Sequence, residues 1–145
     1  MSTQETVRRE AGTVEENPVR LDQDKAEQIA EALNTGLADA YVLYHQLYKH
    51  HWNVEGAEHL PIHEFLQEAY EDVEAAADEV AERAQALGGV PHASMPALSD
   101  AATVEPEDED VYDIRTSFEN DLEIYGDVID HYLEDDTLVL ESALK

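Results

Sequence analysis

Two runs of apolar residues with helical spacing meet at the stretch His51-Trp52-Asn53-Val54-Glu55-Gly56. Asn53 and Gly56 favour a turn, the first run ends on His51, and the second run opens near His63. This arrangement predicts an αα-hairpin in which the two histidine rings converge across the turn.

The apolar spacing extends far from the hairpin in both directions. The first run starts at Asp24-Lys25-Ala26-Glu27, which resembles a capping box, and the second run stops at Gly88-Gly89 with Pro91 just beyond. Residues 90–106 contain small residues and prolines, so we expect a crossover loop with at most one helical turn, at Ala97 to Ala102. A crossover of that length lets a third helix run parallel to the second.

The third run opens with acidic residues after Pro106, and we expect its helix to stop near Asp135-Asp136. No stretch shows the alternation of a strand. The fold class predicted is an all-α bundle with three long helices. The residues that the spacing predicts to be buried in the third helix are Val111, Ile114, Phe118, Leu122, Tyr125, Ile129 and either Tyr132 or Leu133.

Length and composition indicate one domain with a hydrophobic core. The chain has 145 residues, of which 43% are hydrophobic. Its first part is polar and shows no sustained period. We therefore divide the chain into a flexible N-terminal arm, residues 1–21, and a helical domain, residues 22–145.

The net charge suggests an environment of high salt. The chain has 35 acidic residues against 8 basic residues, a formal charge of −27. At molar ionic strength the Debye length is about 3 Å, so the mutual repulsion is largely screened. An acidic protein from a low-salt cell is the alternative, but the acids are spread over every segment, which favours a halophile.

Other features exclude several kinds of chemistry. The sequence has no cysteine, so a disulfide framework, a thiolate zinc site and a thiol nucleophile are excluded. It shows neither a leader-like apolar region nor an apolar run of membrane length. We expect a soluble, cytoplasmic protein with no membrane partner.

Two histidines and two carboxylates are candidate metal ligands. Asp78 and Glu82 are four residues apart, so a helix places both on one face. Fifteen positions separate His63 from Asp78, a helical rise of about 22 Å, so the histidine pair and the carboxylate pair cannot meet inside one chain. A shared site therefore requires a two-fold dimer, which would hold two identical sites, each with His51 and His63 from one chain.

Each of these residues also has an ordinary structural explanation. His51 and His63 can belong simply to helix ends, and most acids on this chain are solvated. Asp78 and Glu82 differ from these acids because they flank Val80 beside the apolar stripe of the second helix, where an unpaired carboxylate is costly. Arg83 or a cation would compensate them.

Other motifs in the chain lack residues that their chemistry requires. His63-Glu64-Phe65-Leu66-Gln67 lacks the second histidine of a zinc-protease motif, and the chain contains no Glu-x-x-His of an intrachain di-iron bundle. The aromatic residues predicted to lie in the core, with no catalytic role, are Tyr44, Tyr48, Trp52 and Tyr70. The histidines assigned by default to the surface are His45, His50, His59, His92 and His131.

The motifs together resemble the Dps family, the miniferritins, and the acidity resembles a haloarchaeal member. The similarity covers Asp22 to Ile129 and resumes at His131-Tyr132-Leu133-Glu134-Asp135-Asp136, which resembles the end of the family's fourth helix. Most of an αα-hairpin is missing between the two parts, so the fourth helix is absent or reduced to a C-terminal remnant. The residues that carry the resemblance are Tyr44-His45, His51 to Gly56, His63, Asp78 to Arg83 and Leu87 to Pro91.

The resemblance implies a ferritin-like bundle that assembles as a two-fold dimer and further into a hollow dodecamer. It implies a ferroxidase site in which His51 and His63 of one subunit and Asp78 and Glu82 of the other bind Fe(II). Hydrogen peroxide would be the preferred oxidant, and Fe(III) would be stored as a mineral, which protects against oxidative damage.

Two other functions stay open. A degenerate or truncated bundle would bind divalent metal without forming a storage cage. It is favoured by the junction at residues 126–132, which lacks a turn-forming pair and so predicts a continuous helix with an uncovered apolar face. We expect no direct DNA binding, because the arm offers only Arg8, Arg9 and Arg20 as phosphate-binding cations and high salt weakens such contacts.

Overall fold

The computed structural model describes residues 6–143, with side chains up to Tyr132. These residues contain three long helices and one short helix, and no strand: α1 (Gln23–Asn53), α2 (His59–Ala86), α3 (Met95–Ala101) and α4 (Ile114–Ala143). The all-α class and the three long helices are thus confirmed. The expected helical turn at Ala97 to Ala102 is α3, which begins two residues earlier than predicted.

The central helix is α1, because the other three helices all pack against it. The C-terminal end of α1 meets the N-terminal end of α2 through His51 and His63, and Asn34 near the other end of α1 donates to the carbonyl of Val90. α1 and α2 are therefore antiparallel. Apolar residues of both helices bury each other, with Leu66 and Ala77 among those on α2.

α4 also runs antiparallel to α1. Gln46 of α1 donates to Asp121, and the ring of Tyr132 lies against Gly36, where a Cβ atom would come within 2.9 Å of it. Since α2 and α4 both oppose α1, they run parallel to each other. The long crossover that contains α3 makes this parallel arrangement possible, as the sequence predicted.

α4 is continuous through the junction that interrupts the resemblance. Residues 126–132 are helical, as the missing turn signal predicted. The expectation that this helix stops near Asp135-Asp136 was wrong, since α4 extends to Ala143. Acids near a C-terminus cost only a few tenths of a kcal/mol each through the helix dipole, and no proline or glycine follows to break the helix. The C-terminal remnant thus continues the third long helix.

The buried face of α4 differs from the predicted one. The α4 residues that are less than a tenth exposed are Ser117, Asp121, Ile124 and Val128. Three residues predicted to be buried, Val111, Leu122 and Ile129, are more than half exposed. Apolar spacing predicted burial of the more apolar stripe, which includes Leu122 and Ile129. The stripe that packs on α1 is the one that contains the polar residues Ser117 and Asp121.

An apolar groove lies between α2 and α4 above α1. It has a volume of about 820 Å³ and opens to the outside. Val73 and Val80 of α2 form one wall, and Tyr125 and Val128 of α4 form the other. This is the uncovered apolar face that three long helices were expected to leave.

The segment before α1 lies against the end of α2. Glu15 donates its backbone N–H to the carbonyl oxygen of Gly88, and Arg9 donates to that of Gly89. The N-cap of α1 is Asp22, whose side chain makes no capping hydrogen bond, so the proposed capping box at Asp24 was wrong. The division between arm and domain stays a prediction. Within the described residues, no helix is long and apolar enough to cross a membrane.

Candidate metal centre

His51 and His63 form a reciprocal pair across the α1–α2 turn. The Nδ1–H of His51 donates to the backbone oxygen of His63 at 2.7 Å, and the Nδ1–H of His63 donates to the backbone oxygen of His51 at 2.8 Å. The rings stack with centroids 3.6 Å apart. The sequence predicted that these rings converge, and the geometry shows how each one is held.

The hydrogen bonds fix which ring nitrogen is available to a ligand. Because Nδ1 carries the proton and donates it to a carbonyl, Nε2 of each neutral ring keeps its lone pair. A metal-binding histidine characteristically donates its other N–H to an oxygen in this way, which orients the ring. The pair therefore presents two oriented Nε2 lone pairs, which are the atoms that a histidine uses to bind a metal.

Aromatic residues surround the inner side of this pair. Tyr70 meets the His51 ring edge-on with centroids 5.2 Å apart, and Tyr48 stacks on Tyr70 at 4.1 Å. Burial, followed by the hydrogen bond and the charge of Tyr48, raises the pKa of Tyr70 to about 12. Tyr70 is therefore a neutral phenol at any physiological pH and supports the histidines without adding charge.

Asp78 and Glu82 lie toward the other end of α2. The helix is unbroken from His59 to Ala86, so the separation of about 22 Å from His63 holds. Both carboxylates are exposed, and the part of the chain with described side chains contains no cluster of three or more metal-binding residues. The argument that they lie against the apolar stripe was wrong for a single chain, because water solvates both.

The two flanks of α2 have different characters. Val73, Val80 and Arg83 line the apolar groove on one flank. Asp78 and Glu82 fall on the other flank, within about 60–100° of His63 around the helix axis by the helical repeat. Any surface that uses the two carboxylates is therefore separate from the groove.

A second cluster, which sequence reasoning missed, lies on the side of α1 that faces α4. His50 was assigned to the surface but is only 5% exposed. Its Nδ1 is 2.8 Å from a carboxylate oxygen of Asp121, and its Nε2 is 2.5 Å from one of Glu107. The available signal was the spacing of Asp39, Leu43, Gln46 and His50, which places three polar residues on one helical stripe.

The charges of this cluster shift its pKa values. Burial alone lowers the pKa of His50, but hydrogen bonds and charge interactions with Asp121 and Glu107 outweigh it, and the pKa is raised. Burial likewise favours a higher pKa for Glu107, but hydrogen bonds from Lys49, Asn120 and His50 lower it below the ordinary value. The cluster is thus an ion network with charged members.

The other aromatic and histidine predictions have mixed outcomes. Tyr70 is buried, and Tyr44 and Tyr48 are partly buried and pack on the core, but Trp52 is 64% exposed. His45 and His59 are exposed as predicted. Trp52 follows His51 on the outer side of the last turn of α1, where no described element covers it.

Comparison with known proteins identifies the class. Residues 30–139 match the ferritin-like domain family. The chain is 50% identical to the DNA protection during starvation protein of Halobacterium salinarum, with all of both chains covered. The crystal structure of an archaeal Dps homologue from the same organism superposes with a TM-score of 0.91 at 57% identity, over 98% of this chain and 79% of that one.

A more distant structure gives the same result. The Dps protein of Vibrio cholerae O1, described as a member of a broad superfamily of ferritin-like diiron-carboxylate proteins, superposes with a TM-score of 0.84. Its identity is 27%, over 90% of this chain and 82% of that one. The fold and the sequence thus define a ferritin-like helical protein. Within that class, the chain belongs to the Dps family.

The alignment also confirms an internal difference in length. It spans 182 positions, whereas this chain has 145 residues, although both chains are fully covered. The Halobacterium protein therefore has additional residues opposite gaps in this chain. The loss of an αα-hairpin after Ile129 stays a prediction, which the open groove between α2 and α4 favours.

Proposed function

We propose that this chain is a Dps-type ferroxidase that oxidises Fe(II), stores the Fe(III) product and so limits oxidative damage. The observation that carries the proposal is the reciprocal pair of hydrogen bonds between His51 and His63. These bonds engage both Nδ1–H donors and leave the two Nε2 lone pairs oriented, which is the arrangement that metal-binding histidines adopt. Membership of the Dps family adds independent support.

The site is completed by a second copy of the chain. His51 and His63 of one subunit face Asp78 and Glu82 of the other across a two-fold axis, which gives two equal sites per dimer. The exposure of both carboxylates and their position on the histidine flank of α2 leave them accessible to a partner. Imidazole nitrogens suit Fe(II), and carboxylate oxygens favour the harder Fe(III).

The reaction is a transfer of electrons from iron to peroxide. Two Fe(II) ions each give up one electron, and one molecule of hydrogen peroxide takes both electrons and two protons and leaves as two waters. The histidines hold the substrate ion in its reduced form, and Asp78 with Glu82 stabilise the added positive charge of the product.

Larger assembly and location belong to the same proposal. The smallest assembly that the proposal requires is a dimer through the metal sites, and the resemblance implies a dodecamer. We place the protein in the cytoplasm of a halophile. The competing proposal is a truncated bundle that binds metal without a cage, which the open groove and continuous α4 favour. Light scattering in molar salt separates the two, because a stable monomer would exclude both the cage and the shared site.

The site is tested by anaerobic loading with Fe(II) followed by rapid mixing with hydrogen peroxide. We expect His51→Ala, Asp78→Ala and Glu82→Ala each to slow oxidation at least about tenfold, since even an outer partner of a metal ligand is worth that much. Asp72→Ala is the matched control, because Asp72 is an exposed carboxylate of α2 whose charge acts on Tyr125 of α4, away from the site. Oxidation at the wild-type rate in the ligand variants would refute the assignment.

Direct DNA binding is the second activity to consider, because the Halobacterium relative is named for DNA protection. Arg9 donates to the carbonyl of Gly89 and lies 3.6 Å from the carboxylate of Glu15, so it is already engaged. Arg8 and Arg20 then remain in the arm among many acids. We propose no direct duplex binding, and a mobility shift at submicromolar protein in physiological or higher salt would contradict this.

A further inference from the structure

A buried ion network ties the last turn of α1 to α4 and to the loop before it. Asp121 of α4 lies 4% exposed and accepts from Gln46 at 3.0 Å and from His50 at 2.8 Å. Glu107 of the loop accepts from Lys49 at 2.8 Å and lies 2.5 Å from His50. We call these five residues, Gln46, Lys49, His50, Glu107 and Asp121, the His50 network.

The polar groups of the network pair with one another. One ring nitrogen of His50 faces a carboxylate oxygen of Asp121 and the other faces one of Glu107. Glu107 also accepts from Lys49. Gln46 closes the arrangement, since its amide donates to Asp121 and its oxygen accepts the backbone N–H of Glu107 at 2.8 Å. A buried set that is fully paired in this way defines one arrangement and resists distortion.

The network lies directly behind the metal-site histidine. His50 and His51 are consecutive, so the helix directs one side chain to α4 and the other to α2. The last turn of α1 is therefore held on two sides, by the network and by the reciprocal bonds with His63. Without the network the turn would be held on one side only, and the ends of helices are where fraying occurs.

We propose that His50, with Glu107 and Asp121, positions His51 for metal binding. The inference rests on the proposed function, because it assigns a role toward the same ion. His50 does not itself bind the metal ion. It acts by fixing the backbone carbonyl and ring of His51, on which the orientation of both Nε2 atoms depends.

The structure supplies a control in the same helix. Asp39 is a fully buried carboxylate of α1 that accepts from the backbone N–H and the hydroxyl of Thr103, both at 2.6 Å, and from the N–H of Val104. Asp39 connects α1 to the loop after α3 by hydrogen bonds, and Asp121 connects α1 to α4 in the same way. Asp39 precedes His51 by twelve residues, a rise of about 18 Å. A change at Asp39 thus loosens the bundle without releasing the last turn.

The test measures Zn(II) affinity of the full chain in molar salt by competition with a chromophoric chelator. Zn(II) replaces Fe(II) because it accepts nitrogen and oxygen ligands and has no redox chemistry. The site-specific component is the binding that His51→Ala removes. The first variant, Asp121→Asn, places an amide N–H opposite a donor from Gln46 or His50. The second variant, Glu107→Gln, keeps the shape of the side chain but removes its charge. Asp39→Ala is the control, and the melting temperature of each variant is measured in parallel.

We expect both network variants to lower the site-specific affinity by about 10-fold, the lower end of the effect of removing a direct hydrogen-bond partner of a metal ligand, because the network acts on His51 through the backbone. Asp39→Ala should lower the melting temperature at least as much as Glu107→Gln and leave the affinity unchanged. Unchanged affinity in the two network variants, or an equal loss in Asp39→Ala, would overturn the positioning role. If His51→Ala binds Zn(II) as tightly as wild type, the metal site itself is wrong and the inference fails with it.

Discussion

At the scale of single residues, Gly88 decides whether the segment before α1 can dock. Its φ of 92° is in the left-handed region, and its carbonyl accepts the N–H of Glu15 at 2.8 Å. A Cβ atom at Gly88 would collide with the backbone oxygen of Glu15. Gly12 has a similar φ of 80°, but its Cβ position is open.

These two glycines separate backbone strain from steric collision. Gly12→Ala should lower the free energy of unfolding by about 1 kcal/mol, the penalty for an L-residue in this conformation. Gly88→Ala should cost about 2–4 kcal/mol, because forcing atoms into a packed site adds about 1–3 kcal/mol. Urea unfolding in molar salt measures both values. Equal losses in the two variants would mean that the segment does not contact Gly88 in solution.

The consecutive residues His50 and His51 show what the sequence can predict at this scale. His51 pairs with a residue twelve positions away across a hairpin, so local spacing was sufficient to predict that the rings converge. His50 pairs with Asp121, 71 positions away on a helix whose buried face had been assigned incorrectly. The polar stripe of α1 that includes His50 was a local signal, but the identity of its partner Asp121 could not be read from spacing alone. Asp78 and Glu82 stay predictions because their partners would be on another chain.

At the scale of elements, α4 shows that apolar spacing alone does not identify which face of a helix is buried. Helix existence follows from local signals, and α1 and α2 lie close to their predicted bounds, although the capping box at Asp24 was wrong. α4 has two apolar stripes because a helix of a four-helix bundle contacts more than one neighbour. Among the described residues, the stripe with Asp121 packs on α1, and the stripe with Leu122 and Ile129 is exposed.

Gly126 provides a test of the continuous α4. It lies in the interior of the helix, and a Cβ atom there would meet nothing within 4 Å. Gly126→Ala should therefore raise the free energy of unfolding by about 0.5–1 kcal/mol, the helix preference of alanine over glycine. A thermal or urea melt measures the change. If the chain reverses direction at Gly126 instead, alanine would be destabilising, so the sign of the effect distinguishes the two structures.

At the scale of the whole molecule, two unfavourable features act together. The groove between α2 and α4 exposes apolar surface that burial would stabilise, and the charge of −27 repels any approach that would close it. Salt weakens the second effect and strengthens apolar burial. The stability of this chain therefore depends on the solvent more than that of a compact, near-neutral bundle.

Repulsion between neighbouring acids on α4 is one local part of this charge. Glu123, Asp127 and Asp130 are exposed on one face of α4 at spacings of four and three, so like charges are neighbours along the helix. Replacing them together by Gln, Asn and Asn should raise the free energy of unfolding in low salt by about 0.5–1 kcal/mol, since each like-charged pair costs about 0.2–0.5 kcal/mol. In molar salt the Debye length falls to about 3 Å, so the variant and the wild type should melt together. Thermal melts over a salt series measure both limits. A gain that persists undiminished at molar salt would show that helix propensity, and not charge repulsion, is responsible.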